Sequence, residues 1–159
     1  MFGVGSADAD LMVIGEAPGA EEDRRGEPFV GRSGALLDRL MAEVMDRDRT
    51  SCYIANVVKC RPPQNRNPSP VEIRTCRPYL DQQIEMVAPD VIITLGNFSS
   101  RLLLGTTDGI MKLRGRAYGF AGASLVPTLH PAAVLRGGAA KMDLMRSDLA
   151  LANTLLEAR

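Results

Sequence analysis

Leu11-Met12-Val13-Ile14-Gly15-Glu16-Ala17-Pro18-Gly19 is the stretch that decides the fold. Four successive apolar residues, with no polar residue between them, describe a strand covered on both faces, the hallmark of a parallel sheet layered with helices. The strand stops abruptly. Pro18 fixes its own φ, and Gly15 and Gly19 tolerate backbone geometries and close approaches that side chains forbid, so the loop can press main-chain N–H groups against a flat ligand. Three further segments share this loop chemistry: Gly26-Glu27-Pro28-Phe29-Val30-Gly31, Asn56-Val57-Val58-Lys59-Cys60-Arg61-Pro62 and His130-Pro131-Ala132-Ala133-Val134-Leu135-Arg136.

Apolar runs at 11–15, 52–58, 91–96 and 125–129 read as four buried parallel strands. Helical patterns separate them. Ser33 is placed to cap a helix whose Leu36, Leu37, Leu40, Met41 and Val44 share one face. Ser69-Pro70-Val71-Glu72 is a capping box with proline at the first helical position, and Pro78 is expected to kink or restart that helix. A short helix is expected over 98–104, and a terminal helix buries Met145, Leu149, Ala152 and Leu156 at three- or four-residue steps. Alternating strands and helices imply a three-layer α/β/α sandwich around a central four-stranded parallel sheet, as one domain over 1–159. In such sheets ligands bind beyond the carboxyl ends of the strands, where the first, second and fourth of these segments are expected to fall.

The chain has 159 residues, with 19 Lys and Arg balancing 19 Asp and Glu, so any polyanion-binding face must come from local placement of cations. Lys59, Arg61 and Arg66 cluster beside the third segment and Arg136 closes the fourth; ordinary solvated surface charge is the alternative for each. No apolar run is long enough to span a bilayer, and three cysteines without an oxidising context point to a reducing, cytoplasmic setting. Neither Gly-x-Gly-x-x-Gly after the first strand nor a Gly-Lys-Ser/Thr phosphate loop is present, which removes support for an ordinary nucleotide-binding protein.

In that order, the four segments resemble the motifs of the family 4 uracil-DNA glycosylases, the iron-sulfur branch of their superfamily. The resemblance implies an enzyme that flips uracil out of DNA and hydrolyses its N-glycosidic bond, leaving an abasic site for base-excision repair. It also implies a monomer whose partner is uracil-containing DNA, with no role at a membrane. A non-catalytic damaged-base or nucleic-acid-binding module of the same fold is the alternative.

Such a reaction needs a pocket for the flipped base and stabilisation of the departing anion. The resemblance assigns Phe29 a stacking face, with core packing as the alternative. Asn56 lies in an otherwise apolar strand, where its amide needs partners. Its carbonyl can accept from uracil N3–H while its NH₂ donates to O4, a pattern that cytosine reverses; nearby backbone can also satisfy it. His130, the single histidine, resembles the residue that donates to uracil O2, and a neutral imidazole suffices for that. Gly15 and Ala17 form the loop beside the base, and Ala17 stands where family 1 relatives carry an aspartate. Glu16 is the candidate to orient water or stabilise the sugar cation, unless its side chain is structural. The resemblance makes Glu22 a wall against thymine's methyl group. Val134 and Leu135 are placed to wedge into the vacated stack, or else to begin a helix and pack inward, while Arg136, Lys59 and Arg61 can meet phosphates.

Cys60 and Cys76 match the second pair of cluster cysteines in the family, so the resemblance implies a 4Fe-4S cluster. Only these two of four ligands are present, and Cys52 reads as a buried packing residue. The family's upstream Cys-x-x-Cys pair does not precede Leu11. Either a segment carrying it lies outside this sequence, which is the expectation here, or the cluster has been lost.

Overall fold

The computed structural model describes residues 1–159. Its elements follow as β1 (Val4–Gly5), β2 (Leu11–Gly15), α1 (Ala20–Arg25), α2 (Gly31–Met45), β3 (Tyr53–Asn56), α3 (Pro70–Val87), β4 (Val91–Leu95), α4 (Asn97–Leu104), α5 (Ile110–Leu113), β5 (Tyr118–Phe120), β6 (Ala123–Thr128) and α6 (Pro131–Glu157). Single turns of 3₁₀ helix precede β3 (Arg49–Ser51) and follow it (Pro63–Asn65).

The sheet runs in the order β1-β3-β2-β4-β6-β5. Its four central strands are parallel, as the apolar runs require, with Gly15 level with Asn56 and Ile14 level with Thr94. From β2 the chain steps outward to β3, then returns across β2 to β4. Keeping one hand in both crossovers puts their helices on opposite faces. Alternation along β2 matches this: Leu11 and Val13 pack with Leu37, Leu40 and Met41 of α2 and Met145 and Leu149 of α6. Met12 and Ile14 pack with Cys76, Leu80 and Ile84 of α3 and Leu103 of α4.

Four details depart from the sequence reading. The sheet has six strands, because two short antiparallel edges join it: β1 beside β3, and β5 beside β6. The β5–β6 hairpin turns on Ala121 and Gly122, both at positive φ (49° and 81°), a turn whose twist suits a two-residue hairpin. Ser33 caps nothing; α2 begins three residues earlier than a Ser33 cap would give, at Gly31 after Val30 in extended conformation, and Ser33 lies in its first turn. Helix α3 runs unbroken through Pro78, starting from the expected Ser69–Glu72 capping box. Pro78 removes one intrahelical donor, but Cys76, Leu80, Ile84 and Val87 still bury one continuous face, and that packing outweighs the local preference to stop. Helix α6 is interrupted at Gly138 (φ 73°, ψ −160°).

No helix is long and apolar enough to cross a membrane. One buried ion pair ties α6 to the end of α5, and a hydroxyl ties it to the sheet. Asp148 is fully buried, receives two hydrogen bonds from Arg114 at 2.8 and 2.9 Å, and accepts from the Thr128 hydroxyl at 2.7 Å. Removing one partner of such a pair strands the other charge. Arg114→Met is therefore expected to cost about 3–5 kcal/mol in urea unfolding, and Arg114→Met with Asp148→Leu much less; equal losses in the two variants would show that the pair is not the unit of stability.

Candidate functional site

The loops leaving β2, β3, β4 and β6 converge beyond the carboxyl ends of the parallel strands. They enclose a cleft with two lobes. The inner lobe, about 620 Å³, is lined by Glu16, Ala17, Gly19, Glu22, Phe29 and Asn56, among others. The outer lobe, about 750 Å³, lies over Asn97, Phe98, Arg101 and Thr107. Glu16, Asn67, His130 and Arg136 line both lobes and mark their junction.

At the floor of the inner lobe three residues crowd together. A Cβ on Gly15 would stand 2.2 Å from Phe29 Cζ and 2.6 Å from Asn56 Oδ1, so only glycine lets both side chains close over the end of β2. Asn56 is buried, and its Oδ1 is a buried side-chain acceptor with no hydrogen-bond partner. Leaving such an atom unsatisfied costs about 1–3 kcal/mol. Phe29 is 6% exposed, with its ring centroid 5.9 Å from that of His130. Its backbone is left-handed (φ 51°), which is unfavourable for a bulky residue. Arg49 holds it there: the guanidinium donates to the carbonyls of Pro28 (2.6 Å) and Phe29 and pairs with Asp38 (2.7 Å).

His130 follows β6 and caps α6. Its Nδ1 accepts the Ala132 N–H at 3.1 Å, which assigns the ring proton to Nε2 and leaves that N–H as a donor. Burial, then Arg136, lowers its pKa below the ordinary value of 6.5. The positive end of α6 acts in the same direction. The imidazole is thus neutral and directed by its own helix.

Burial alone raises the Glu16 carboxyl above its ordinary value, while the Glu16 carbonyl accepts from Val58 N–H at 3.0 Å and keeps the loop registered on β3. The carboxylate of Glu22 accepts the Gly19 N–H at 3.1 Å, fastening the loop after β2 to α1. Sequence reasoning missed Ser33, Asn65 and Asn67, which also line the inner lobe. The first sits in a helical pattern, and the other two lie within a proline-rich loop with no periodicity to place them.

Two site candidates need correction. Lys59 is 7% exposed, and its ammonium donates to the carbonyl of Asn56 (2.9 Å), the carbonyl of Phe2 (3.3 Å) and Gln83 Oε1, so it cannot meet a phosphate. Burial pulls its pKa down to about 8. Val134 is fully buried in the core between sheet, α2 and α6, so it cannot wedge into DNA. Its neighbour Leu135 is 40% exposed, and Arg136 and Arg61 are on the surface. Cys60 is exposed, whereas Cys76 is buried and its sulfur accepts the Lys59 N–H at 3.4 Å. Cys52 is buried on the other side of the sheet, and burial pushes its thiol up to about 11.

The family model of the Uracil DNA glycosylase superfamily matches residues 2–150. Among curated relatives, the type-4 uracil-DNA glycosylase of Saccharolobus solfataricus is 46% identical over 141 residues, covering 84% of this chain and 65% of that one. The type-4 enzyme of Sulfurisphaera tokodaii is 43% identical over 141 residues (84% and 64%), and that of Archaeoglobus fulgidus 41% over 141 residues (84% and 70%). The chain thus spans just under two thirds of the first two relatives and slightly more of the third.

The arrangement around His130 makes a prediction that needs no ligand. Its NMR titration midpoint is expected below 6.5, and Arg136→Gln should move it upward. Because the folded state binds this proton less readily than the unfolded chain, the group's contribution to stability is complete above 6.5 and is lost as pH falls towards the folded midpoint. A midpoint at or above 6.5 would overturn the neutral-imidazole assignment.

Proposed function

Because the chain belongs to the uracil-DNA glycosylase superfamily, and within it to the type-4 branch, we propose that it flips uracil out of DNA and hydrolyses the N-glycosidic bond to leave an abasic site. The observation that carries this reading is the unpartnered Oδ1 of Asn56 at the floor of the inner lobe. A ligand N–H completes it, and uracil N3–H is such a donor, while uracil O4 is an acceptor for the NH₂ of the same side chain. Cytosine presents the opposite pattern and would leave the oxygen facing a lone pair.

With the base between Phe29 and Asn56, the sugar falls at the junction of the lobes, beside His130 and Glu16. As the C1′–N1 bond breaks, its electron pair moves into the uracil ring, and the Nε2–H of His130 donates to O2, where negative charge builds. A preorganised donor of this kind is typically worth about 10²–10³ in rate. Water adds its oxygen to C1′. Glu16 orients that water and balances the sugar's developing positive charge, its partial burial strengthening both interactions. Water's released proton neutralises the departing base, directly or through solvent. Leu135 and Arg136 follow His130 on the exposed side of α6, placed to fill the vacated stack and to hold a phosphate. As the resemblance implies, we take the working unit to be a monomer, acting on uracil-containing DNA in the cytoplasm.

The 4Fe-4S cluster that the resemblance implies meets a half-complete donor set. Cys76 accepts the N–H of Lys59, the residue before Cys60, and no group of three or more His, Cys, Asp or Glu side chains gathers anywhere in the chain. We propose these two thiols as two corners of such a site; its other ligands have no candidates among these residues. The hydrolysis needs no electron transfer.

The test is a labelled oligonucleotide with one uracil. Strand breakage after mild alkali reports an abasic site; tight binding without breakage would instead indicate a binding module. His130→Ala should lower the single-turnover rate by about 10²–10³ with DNA affinity nearly unchanged. Asn56→Asp should gain activity on cytosine, because burial keeps the new carboxyl protonated and able to donate to cytosine N3. A His130→Ala enzyme as fast as the parent would remove His130 from the mechanism.

Glu22 gives a separate prediction. Its carboxylate both narrows the inner lobe and fastens Gly19, so Glu22→Ala should admit 5-substituted uracils. If that variant still cleaves uracil yet rejects 5-methyl and 5-halo substituents, the wall lies elsewhere.

A further inference from the structure

We propose that Lys59 is a positioning residue for base recognition: its buried ammonium holds the backbone of Asn56 at the point where the sheet stops supporting it. The proposal rests on reading Asn56 as the residue that recognises the base.

The argument begins with the ladder. On one edge β3 pairs with β2, and the N–H of Val57 continues that registration by donating to the carbonyl of Gly15 (2.9 Å). Alternate backbone groups of a strand point to opposite edges, so the carbonyl of Asn56 points the other way, towards β1. There the pairing is Val4 with Ile54 and Gly5 with Tyr53, and it ends before Asn56. The same register sets Phe2 opposite Asn56. No rung forms at that position. Instead one ammonium donates to both carbonyls, at 2.9 Å to Asn56 and 3.3 Å to Phe2.

Its environment is unusual for a cation. Lys59 has no carboxylate partner; beyond the two carbonyls it donates to Gln83 Oε1 and lies 5.5 Å from the centre of the Phe2 ring. Gln83, buried on α3, returns the linkage by donating to the Phe2 carbonyl (2.8 Å) and the Tyr53 hydroxyl (3.1 Å). A buried charge held by neutral acceptors is costly. An apolar side chain would fill this space more cheaply, but it could not donate to the Asn56 carbonyl. The placement is therefore accounted for by what it fixes: the backbone of the residue whose unpartnered Oδ1 lies at the cleft floor.

The test compares Lys59→Met with the parent and with Leu156→Ala, a core truncation in the terminal helix that controls for lost stability. Lys59→Met should lower the single-turnover rate on uracil DNA about tenfold or more at saturating enzyme, because a small misplacement of a recognition group costs rate. DNA affinity should stay within about twofold, since the ammonium touches no DNA-facing surface. Leu156→Ala should lose melting temperature and keep the rate. The Asn56 side-chain amide resonances, which need no substrate, should shift or broaden in Lys59→Met and not in Leu156→Ala. If Lys59→Met fails to fold, Lys59→Gln, which keeps an amide NH₂ donor without the charge, takes its place and should show a smaller effect of the same kind. Unchanged Asn56 resonances with an unchanged rate overturn the proposal, as does an equal rate loss in Leu156→Ala. A parent with no uracil activity would instead refute the proposed function, and the resonances would still decide whether Lys59 positions Asn56.

Discussion

The missing side chain at Gly15 is the constraint on which the site depends. It ends the central strand, stands level with Asn56 across the parallel ladder, and lets the Phe29 ring and the Asn56 amide occupy space that any Cβ would claim. Strand β2 is buried along its whole length, so its end cannot shift to relieve a clash. A methyl group there would displace the Phe29 ring and the Asn56 amide together. The sheet's parallel order matters for the same reason, because it lines up the ends of β3, β2, β4 and β6 along one edge.

Holding these groups in place has an energetic cost that distant residues offset. Phe29 in a left-handed conformation costs about 1–2 kcal/mol. Its carbonyl is held by Arg49 from the turn before β3, and it lies so near Gly34 of α2 that a Cβ there would stand 1.7 Å away. Arg49 is itself oriented by Asp38 of α2. Phe29 is thus clamped by the helix that follows it and by a turn twenty residues on. Neither residue faces the cleft, and both act through Phe29.

What could be read from the sequence follows from how local each determinant is. The four parallel strands and the start of α3 announce themselves, because apolar runs and a Ser69–Glu72 capping box act within a few residues. Asn56 was conspicuous as an amide inside an apolar strand, and His130 as the single histidine at a strand exit. Lys59 was misread because its acceptors come from residues 2, 56 and 83, and a lysine beside arginines looks like surface charge until they are brought together. Val134 failed for a related reason: a wedge and a core residue are equally apolar, and only the rotation of α6 separates Val134, facing inward, from Leu135, facing out. The two edge strands are too short to carry a period, and Ser33 lost the cap to Val30 because the chain enters α2 from the Phe29 turn.

The charge state of the cleft makes chemical sense of these pieces. In the proposed reaction the leaving group is neutral in the ground state and anionic in the transition state, so a full positive charge beside O2 would be aligned for the later state but expensive to bury in the earlier one. A neutral imidazole avoids that expense, and its N–H dipole gains strength only as the oxygen becomes charged. His130 is kept neutral by burial, by Arg136 and by the end of α6, three influences that arise from its position as the cap of that helix. The carboxyl of Glu16 is shifted in the complementary direction by the same partial burial. With no aspartate at Ala17, rate must come chiefly from holding uracil and sugar in the reactive geometry and from stabilising the anion as it forms. That places a premium on rigidity at the cleft floor, which is where the Arg49 clamp and the Lys59 ammonium are found.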